Sequence, residues 1–201
     1  MDLIKKIIHN IPRYEVKLIC KILLECALRP SEARCLTLDD LLNFDASSNL
    51  PPIIDINKSV KSGTKKIGDP KTDNGFRQLV ISNDLRDEIN KYVKTLRKDQ
   101  NYLFLDKTNS PIRLEAIIRG IDKSLKKLDL TLPIKRKGYF FRHYTASFWA
   151  YTSKYKNAID LAKALGDKSI DFVQDNYIAL YLKSEKEVEN VDYQNKHFNW
   201  K

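Results

Sequence analysis

The chain has 201 residues, 42% of them hydrophobic, so it is long enough to bury a substantial core. Lys and Arg outnumber Asp and Glu by 36 to 26, and the excess is spread along the chain. This charge favours a polyanionic partner such as nucleic acid, but on its own it distinguishes such a partner only weakly from a solvated basic surface. No apolar run approaches the roughly 20 residues that span a bilayer, and Cys20, Cys26 and Cys35 form neither a zinc pattern nor a disulfide framework, so we expect a soluble cytoplasmic protein.

Hydrophobic periodicity predicts helices at the start of the chain and a small sheet after them. Between Tyr14 and Leu28 apolar residues recur at three- and four-residue steps, and Pro30 then opens a second short helix after a tight corner. Segments rich in β-branched residues, separated by the hairpin-turn signals Ser62-Gly63 and Asp73-Asn74-Gly75, predict a small three-stranded antiparallel sheet. Its expected strands are Ile53-Ile54-Asp55-Ile56, Lys65-Lys66-Ile67 and Phe76-Arg77-Gln78-Leu79-Val80-Ile81.

Helical periodicity returns after the sheet and continues through the C-terminal region. The expected helices lie at residues 84–97, 113–128, 144–151, 158–165, 169–176 and 182–191. Phe141, Phe148 and Trp149 are expected to be core residues. No internal repeat, low-complexity tract or flexible linker divides the chain, so the predicted fold class is α+β, mostly helical, in one domain over residues 1–201.

Four short segments contain residues suited to phosphate chemistry, since an arginine fork can hold two oxygens of one phosphate. They are, in chain order, Ala27-Leu28-Arg29-Pro30-Ser31-Glu32, Pro70-Lys71-Thr72-Asp73-Asn74-Gly75-Phe76-Arg77, Tyr139-Phe140-Phe141-Arg142-His143-Tyr144-Thr145-Ala146-Ser147, and Leu165-Gly166-Asp167-Lys168-Ser169 with Tyr177 behind. In this order and spacing the segments resemble the motifs of tyrosine recombinases, the phage-integrase family. The resemblance extends from about residue 14 to about residue 181 and implies the catalytic-domain fold of that family.

The resemblance implies that two arginines clamp the scissile phosphate. Arg29 fits the family's first motif, an arginine at a helix corner followed three residues later by an acid, here Glu32. In isolation this pair would be interpreted as a helix-corner arginine beside a surface acid. Arg142, followed by His143, fits the third motif, but Tyr139 replaces its leading histidine. A tyrosine can donate a hydrogen bond to a phosphate oxygen but is a poorer proton acceptor near neutral pH.

The resemblance also implies a catalytic lysine in the β-hairpin. Lys71 lies in the matching string, Pro70-Lys71-Thr72, and Arg77 leads from it into the last strand. On a mobile hairpin tip the lysine would protonate the departing 5′ oxygen. Lys65 and Lys66 are the competing candidates, and the simpler interpretation is a solvated hairpin lysine that only contacts the DNA backbone.

The fourth motif resembles the family's Leu-Gly-His signature, in which a His or Trp after the glycine helps to hold the phosphate. Asp167 follows Gly166 here, and an ionised carboxylate would repel phosphate. We therefore expect Asp167 to hydrogen-bond Arg142 or Lys168 rather than DNA.

The family resemblance implies that Tyr177 is the nucleophile, with Tyr181, one helical turn further on, as the alternative. Tyr177 would attack the phosphodiester in line, leaving a 3′-phosphotyrosine bond and a free 5′ hydroxyl. Arg29 and Arg142 would stabilise the extra charge of the pentavalent transition state. The chemistry requires no metal, no ATP and no other cofactor.

The implied function is site-specific DNA recombination or integration. The implied partner is double-stranded DNA, on which the chain is expected to form a homotetramer. Without DNA the chain is expected to be a monomer, and no membrane partner is implied. The alternatives are strand relaxation of the type IB topoisomerase kind and an inactive integrase-derived DNA-binding protein, which the departures at Tyr139 and Asp167 favour. Such a protein is expected in the cytoplasm of a prokaryotic host, encoded by the host, a virus or another mobile element.

The family resemblance also implies features of the two ends of the chain. Family members usually have a helical domain ahead of the catalytic one, but Arg29 lies only 29 residues from the start, so we expect a fragment of a longer recombinase or a minimal form without that domain. The tail, residues 182–201, mixes charges with a thin apolar stripe and is a weak helix alone. In resembling proteins such a tail packs on a neighbouring protomer; a helix folded back on its own domain and a frayed terminus are the alternatives.

Overall fold

The computed structural model describes residues 2–61, 63–64, 66–132, 136–152, 154–155, 157–168 and 170–173. The helices of this part are α1 Asp2–His9, α2 Tyr14–Cys26, α3 Pro30–Ala33, α4 Asn83–Val93, α5 Leu114–Lys127, α6 Phe140–Tyr151, α7 Ala158–Leu165 and α8 Ile170–Val173. The strands are β1 Leu41–Leu42, β2 Ile53–Ile56, β3 Ser59–Val60, β4 Ile67–Gly68 and β5 Arg77–Val80. The predicted class, mostly helical with a small antiparallel sheet, is confirmed. No helix within the described ranges has the length and apolar character needed to cross a membrane.

Helix α2 lies at the centre of the core and packs against α4, α5 and α6. Its apolar residues occupy almost every face, as expected for a helix surrounded by other elements. The buried ones are Val16, Leu18, Ile19, Cys20, Ile22, Leu23 and Cys26. The helix ends at Ala27, whose left-handed backbone (φ 49°) turns the chain sharply towards α3. This turn forms the corner that carries Arg29.

The N-terminal helix α1 was not among the predicted elements. Ile4, Ile7 and Ile8 recur at helical spacing and are buried, and α1 packs against α2 and α5. Lysines on the opposite face stay exposed. The signal was therefore present in the sequence, and the packing of this apolar face explains why so short a helix forms.

The sheet contains two of the three predicted strands. β2 lies between β1 and β5, antiparallel to both, with Ile54 opposite Leu41 and Leu79. The prediction that residues 65–67 form its third strand was wrong: Ile67–Gly68 pairs with Ser59–Val60 in a separate two-stranded hairpin.

The turn expected at Asp73–Gly75 is a short 3-10 helix, not a hairpin turn. The side chain of Asn74 donates to the backbone oxygen of Asp167 (2.8 Å), so this segment is held by a distant part of the chain. Tertiary hydrogen bonds therefore prevail over the local turn signal, and β4 and β5 do not pair.

Helix α6 begins at Phe140, four residues before the predicted start, after a 3-10 turn at Lys137–Tyr139. Its first turn therefore carries Arg142. Phe141 and Trp149 are buried as predicted, but Phe148 is 41% exposed, so its assignment to the core was wrong. The predicted boundaries of α7 at residues 158 and 165 are confirmed.

Candidate active site

Three helix ends bring the two predicted arginines together. Arg29 lies at the corner between α2 and α3, Arg142 lies in the first turn of α6, and Gly166 and Asp167 follow the C-terminus of α7. The side chain of Arg29 is 14% exposed and that of Arg142 is 4% exposed. Guanidinium groups this deeply placed require anionic or carbonyl partners, and the structure supplies both kinds.

The carboxylate of Asp167 joins the two arginines. Nη2 of Arg29 donates to Oδ1 (2.6 Å), and Nη2 of Arg142 donates to Oδ2 (2.9 Å). Of the two alternative partners expected for Asp167, Arg142 or Lys168, the structure shows Arg142, and it adds Arg29, which was not expected. Each arginine holds one oxygen of the same acid group.

Backbone carbonyls fix the orientation of the two guanidinium groups. Arg142 donates through Nη1 to the oxygen of Ala27 and through Nη2 to that of Leu165, each at 2.7 Å. Arg29 donates to the oxygen of Gly166, also at 2.7 Å. These oxygens lie at the C-termini of α2 and α7, where the helix dipole favours a cation. Burial lowers the pKa of Arg142, and Asp167 opposes that effect, so the guanidinium remains charged.

Glu32 is the second acid of a group of connected charged residues, here called the arginine cluster, and its side chain is only 1% exposed. The arginine cluster comprises Arg29, Arg77, Arg142, Glu32 and Asp167. Its carboxylate accepts from Nη1 of Arg29 (2.8 Å), from the backbone nitrogen of Arg29 (2.9 Å) and from both terminal nitrogens of Arg77 (3.2 and 2.9 Å). It is therefore not the surface acid of the simpler interpretation. Burial alone would raise the pKa of Glu32, but the charges of Arg77, Arg142 and Arg29 outweigh burial and lower it.

Arg77 is a cluster residue that sequence analysis did not assign to the site. Besides Glu32, it donates to the backbone oxygens of Ala164 and Gly75, each at 3.0 Å, and its side chain is 7% exposed. It ties the start of β5 to the end of α7. Its position six residues after Lys71, at the entry to an apolar strand, was the available signal.

Gly166 has a left-handed backbone (φ 68°) and lies against Arg77. A Cβ at this position would stand 2.7 Å from Nη1 of Arg77. The carbonyl oxygen of Gly166 accepts from the hydroxyl of Thr72 (2.8 Å) as well as from Arg29. Only glycine satisfies both the backbone conformation and the close approach.

Lys71 lies in the connection between β4 and β5, so its placement in the hairpin turn was wrong. The β3–β4 hairpin carries Lys61 and Lys66 near its tip, and Lys65 lies outside the described residues. Lys71 is exposed, while its neighbour Thr72 is tied to the carbonyl of Gly166. The loop that carries Lys71 therefore borders the arginine cluster.

Tyr139 precedes α6 and is half-buried, and its ring centroid lies 6.4 Å from that of His143. Within the described part of the chain, no hydrogen bond joins Tyr139 to Arg29, Arg142 or Asp167. Burial, and to a smaller extent the charge of Arg142, lowers the pKa of His143 below its ordinary value.

Tyr177, Tyr181 and the tail lie outside the described residues. The described chain ends with α8, where Val173 packs in a small apolar cluster with Trp149, Leu161 and Leu165.

In the arginine cluster, three guanidinium groups face two carboxylates, which leaves one net positive charge for an anionic ligand. Among the described residues, no group of three or more His, Cys, Asp or Glu is arranged to hold a metal ion.

No family model and no curated protein matches the chain. Among solved structures, the Tn1549 transposon integrase in complex with circular intermediate DNA has a TM-score of 0.70 at 21% identity, over 93% of this chain and 64% of that one. XerA recombinase has a TM-score of 0.65 at 17% identity, over 94% of this chain and 61% of that one.

The catalytic domain of bacteriophage HP1 integrase matches over nearly its whole length, with a TM-score of 0.57 at 20% identity, covering 98% of this chain and 90% of that one. By contrast, the chain spans less than two thirds of the Tn1549 and XerA proteins. Likeness at these identities is likeness of fold. The mostly helical chain with its small antiparallel sheet has the fold of the catalytic domain of tyrosine recombinases.

Proposed function

We propose that this chain is the catalytic domain of a site-specific DNA recombinase or integrase that cleaves and rejoins DNA through a 3′-phosphotyrosine intermediate. One observation carries the proposal: Arg29 and Arg142, from distant parts of the chain, each hold one oxygen of the same carboxylate, at 2.6 and 2.9 Å. Two arginines that share one acid group in this way can also share two oxygens of one phosphate.

Double-stranded DNA is the proposed substrate. The net charge of +10 favours a polyanion, and the net positive charge of the cluster favours a phosphate at this particular place. The Tn1549 integrase was solved with circular intermediate DNA, and XerH site-specific recombinase was solved bound to its difH substrate. These complexes support DNA as the partner of a chain with the same fold.

In the proposed reaction, the phenolic oxygen of Tyr177 bonds to phosphorus, the bond to the 5′ oxygen breaks, and the tyrosine proton passes to solvent. Arg29 and Arg142 stabilise the added negative charge of the transition state. Lys71, on the loop that borders the cluster, gives a proton to the leaving 5′ oxygen. A 5′ hydroxyl of a partner strand then reverses these steps and reseals the DNA, so the phosphodiester bond energy is kept without ATP.

A second candidate function is DNA binding without cleavage, as in an integrase-derived factor. The observation that favours it is the carboxylate of Asp167 in the place where a phosphate would bind, together with Tyr139 in the place of a histidine. A protein of this kind would bind DNA but form no covalent adduct. Covalent trapping therefore separates the two functions.

The test uses nicked suicide duplexes tiled across the DNA that flanks the gene, because cleavage near the nick releases a short strand and traps the adduct. We expect the full chain to form a covalent protein–DNA adduct on one duplex. Arg142→Lys should lower adduct formation by about 100-fold, because a lysine cannot reach the oxygens that the guanidinium fork holds. The matched control is Arg119→Lys, because Arg119 is an exposed arginine of α5. DNA binding with no adduct on any duplex would favour the second function.

A further inference from the structure

The Asp167 carboxylate already occupies the two arginines of the candidate site. Each oxygen of the Asp167 carboxylate accepts a hydrogen bond from Nη2 of one of these arginines. We propose that Asp167 is an internal counter-ion, which holds Arg29 and Arg142 at phosphate-binding spacing and leaves both when a phosphate enters. This inference rests on the proposed function, because it identifies the group that the DNA phosphate displaces.

The Asp167 carboxylate and a phosphodiester have the same charge and offer the same number of oxygens to the two arginines. A phosphodiester carries one negative charge and two non-bridging oxygens, and a carboxylate likewise carries one negative charge and two oxygens. Replacing one by the other leaves the net charge of the cluster unchanged. If the carboxylate remained, two anions would compete for the same guanidinium nitrogens and repel each other. Binding of phosphate and retention of the Asp167 contacts therefore exclude each other.

The backbone of Asp167 is fixed, so the exchange is a rotation of its side chain. The backbone nitrogen donates to the oxygen of Ala162 (2.9 Å), and the backbone oxygen accepts from Asn74 (2.8 Å). The preceding carbonyl, that of Gly166, is held by Arg29 and Thr72. With these anchors in place, only the Asp167 side-chain torsions remain to withdraw the carboxylate.

Exposure indicates which of the two acids can leave. The side chain of Asp167 is 16% exposed and its partner Arg29 is 14% exposed, so this edge of the cluster faces solvent. Glu32 is 1% exposed and also accepts from the backbone nitrogen of Arg29. Glu32 is therefore a fixed anion of the cluster, whereas Asp167 is the replaceable one.

Binding of inorganic phosphate to the DNA-free full chain tests this exchange without any cleavage step. Asp167→Asn removes the competing charge, so we expect it to bind phosphate about tenfold more tightly than the wild type, measured by calorimetry at constant ionic strength. Asp167→Glu keeps a carboxylate and should show no gain. Asp171→Asn, which neutralises an exposed acid four residues further on, is the matched control. Adding Arg29→Ala to Asp167→Asn should remove the gain.

The opposite role for Asp167 is structural support of the arginines. In that case Asp167→Asn would bind phosphate no more tightly than Asp171→Asn, or more weakly, and the inference would be wrong. A measurement on the wild type avoids any folding defect of the variants: the ¹³C resonance of the Asp167 carboxyl should shift at saturating phosphate. A resonance that stays in place while phosphate binds contradicts the exchange.

The two proposals fail in different ways. A gain in phosphate affinity in Asp167→Asn without a covalent adduct in any variant would support the counter-ion and reject the recombinase. An adduct in the wild type together with unchanged phosphate affinity in Asp167→Asn would support the recombinase and reject the counter-ion.

Discussion

Glu32 is almost fully buried among arginines, and its replacement should be costly. Glu32→Gln keeps the shape of the side chain but removes the charge that Arg29 and Arg77 share. Because two poorly solvated guanidinium groups then lack their common anion, we expect the free energy of unfolding to fall by about 3 kcal/mol in urea titrations. Glu115→Gln, at an exposed position of α5, should change it by less than about 0.5 kcal/mol. Equal effects of the two substitutions would contradict the role given to Glu32.

The lowered pKa of Glu32 predicts an acid-sensitive contribution to stability. A carboxyl whose pKa is lower in the folded than in the unfolded chain stabilises the fold above the unfolded pKa, and this contribution is lost as pH falls through the folded pKa. The wild type should therefore lose stability below about pH 4.3, the ordinary glutamate value, more steeply than Glu32→Gln. Thermal unfolding of both proteins between pH 7 and pH 3 measures this, and parallel profiles would contradict it.

The sequence identified most of the cluster but not its connections. Arg29 and Arg142 were found by motif, and Asp167 was expected to bond to Arg142 or Lys168, of which the structure shows Arg142. Arg77 was missed because sequence does not reveal which of 36 basic residues is buried. The convergence of Arg29 and Arg142 on one carboxylate is a property of the packed helix ends, and no local pattern reports it.

Helix and strand positions were predicted where local signals and tertiary packing agree. Helix α7 follows its predicted boundaries because Asn157 caps its start and Gly166 ends it. The sheet was partly mispredicted because its strands are short, with only two residues in β1, so that pairing depends on tertiary contacts. The β4–β5 connection follows bonds from Thr72 and Asn74 to the residues after α7, which a turn pattern cannot indicate.

The end of α7 requires glycine for two separate reasons, which a pair of substitutions can separate. Gly166→Ala imposes both the cost of a left-handed alanine and a contact of 2.7 Å with Arg77. Gly63 has a similar backbone (φ 70°) but nothing within 4 Å of its Cβ position, so Gly63→Ala measures the backbone cost alone, about 1 kcal/mol. We expect Gly166→Ala to cost at least about 1 kcal/mol more in urea titrations. Equal costs would show that Arg77 yields without penalty.

The match to the catalytic domain of HP1 integrase covers 98% of this chain and 90% of that domain. The fold was predicted from the order of four motifs, although the four solved proteins named above are only 15–21% identical to the chain. The tail, residues 182–201, remains a prediction from its charge pattern.

The assembly prediction concerns that tail. Deleting the residues after Lys183 should leave binding of a single DNA site unchanged but weaken the pairing of two sites, because the tail is expected to dock on a neighbouring protomer only in the DNA-bound assembly. Gel-shift titration measures the first property, and formation of two-site complexes measures the second. The full chain without DNA should be monomeric in sedimentation. A truncated chain that pairs two sites and recombines them at the full rate has no need of the tail.

The most direct test of the account is to identify the residue that becomes linked to DNA. The trapped adduct should be digested with protease and nuclease and the modified peptide sequenced by mass spectrometry. We predict a phosphate on the phenolic oxygen of Tyr177, an adduct that disappears in Tyr177→Phe while DNA binding persists, and an adduct that survives in Tyr181→Phe. A phosphorylated Tyr181, or an adduct that persists in Tyr177→Phe, would contradict the assignment of the nucleophile.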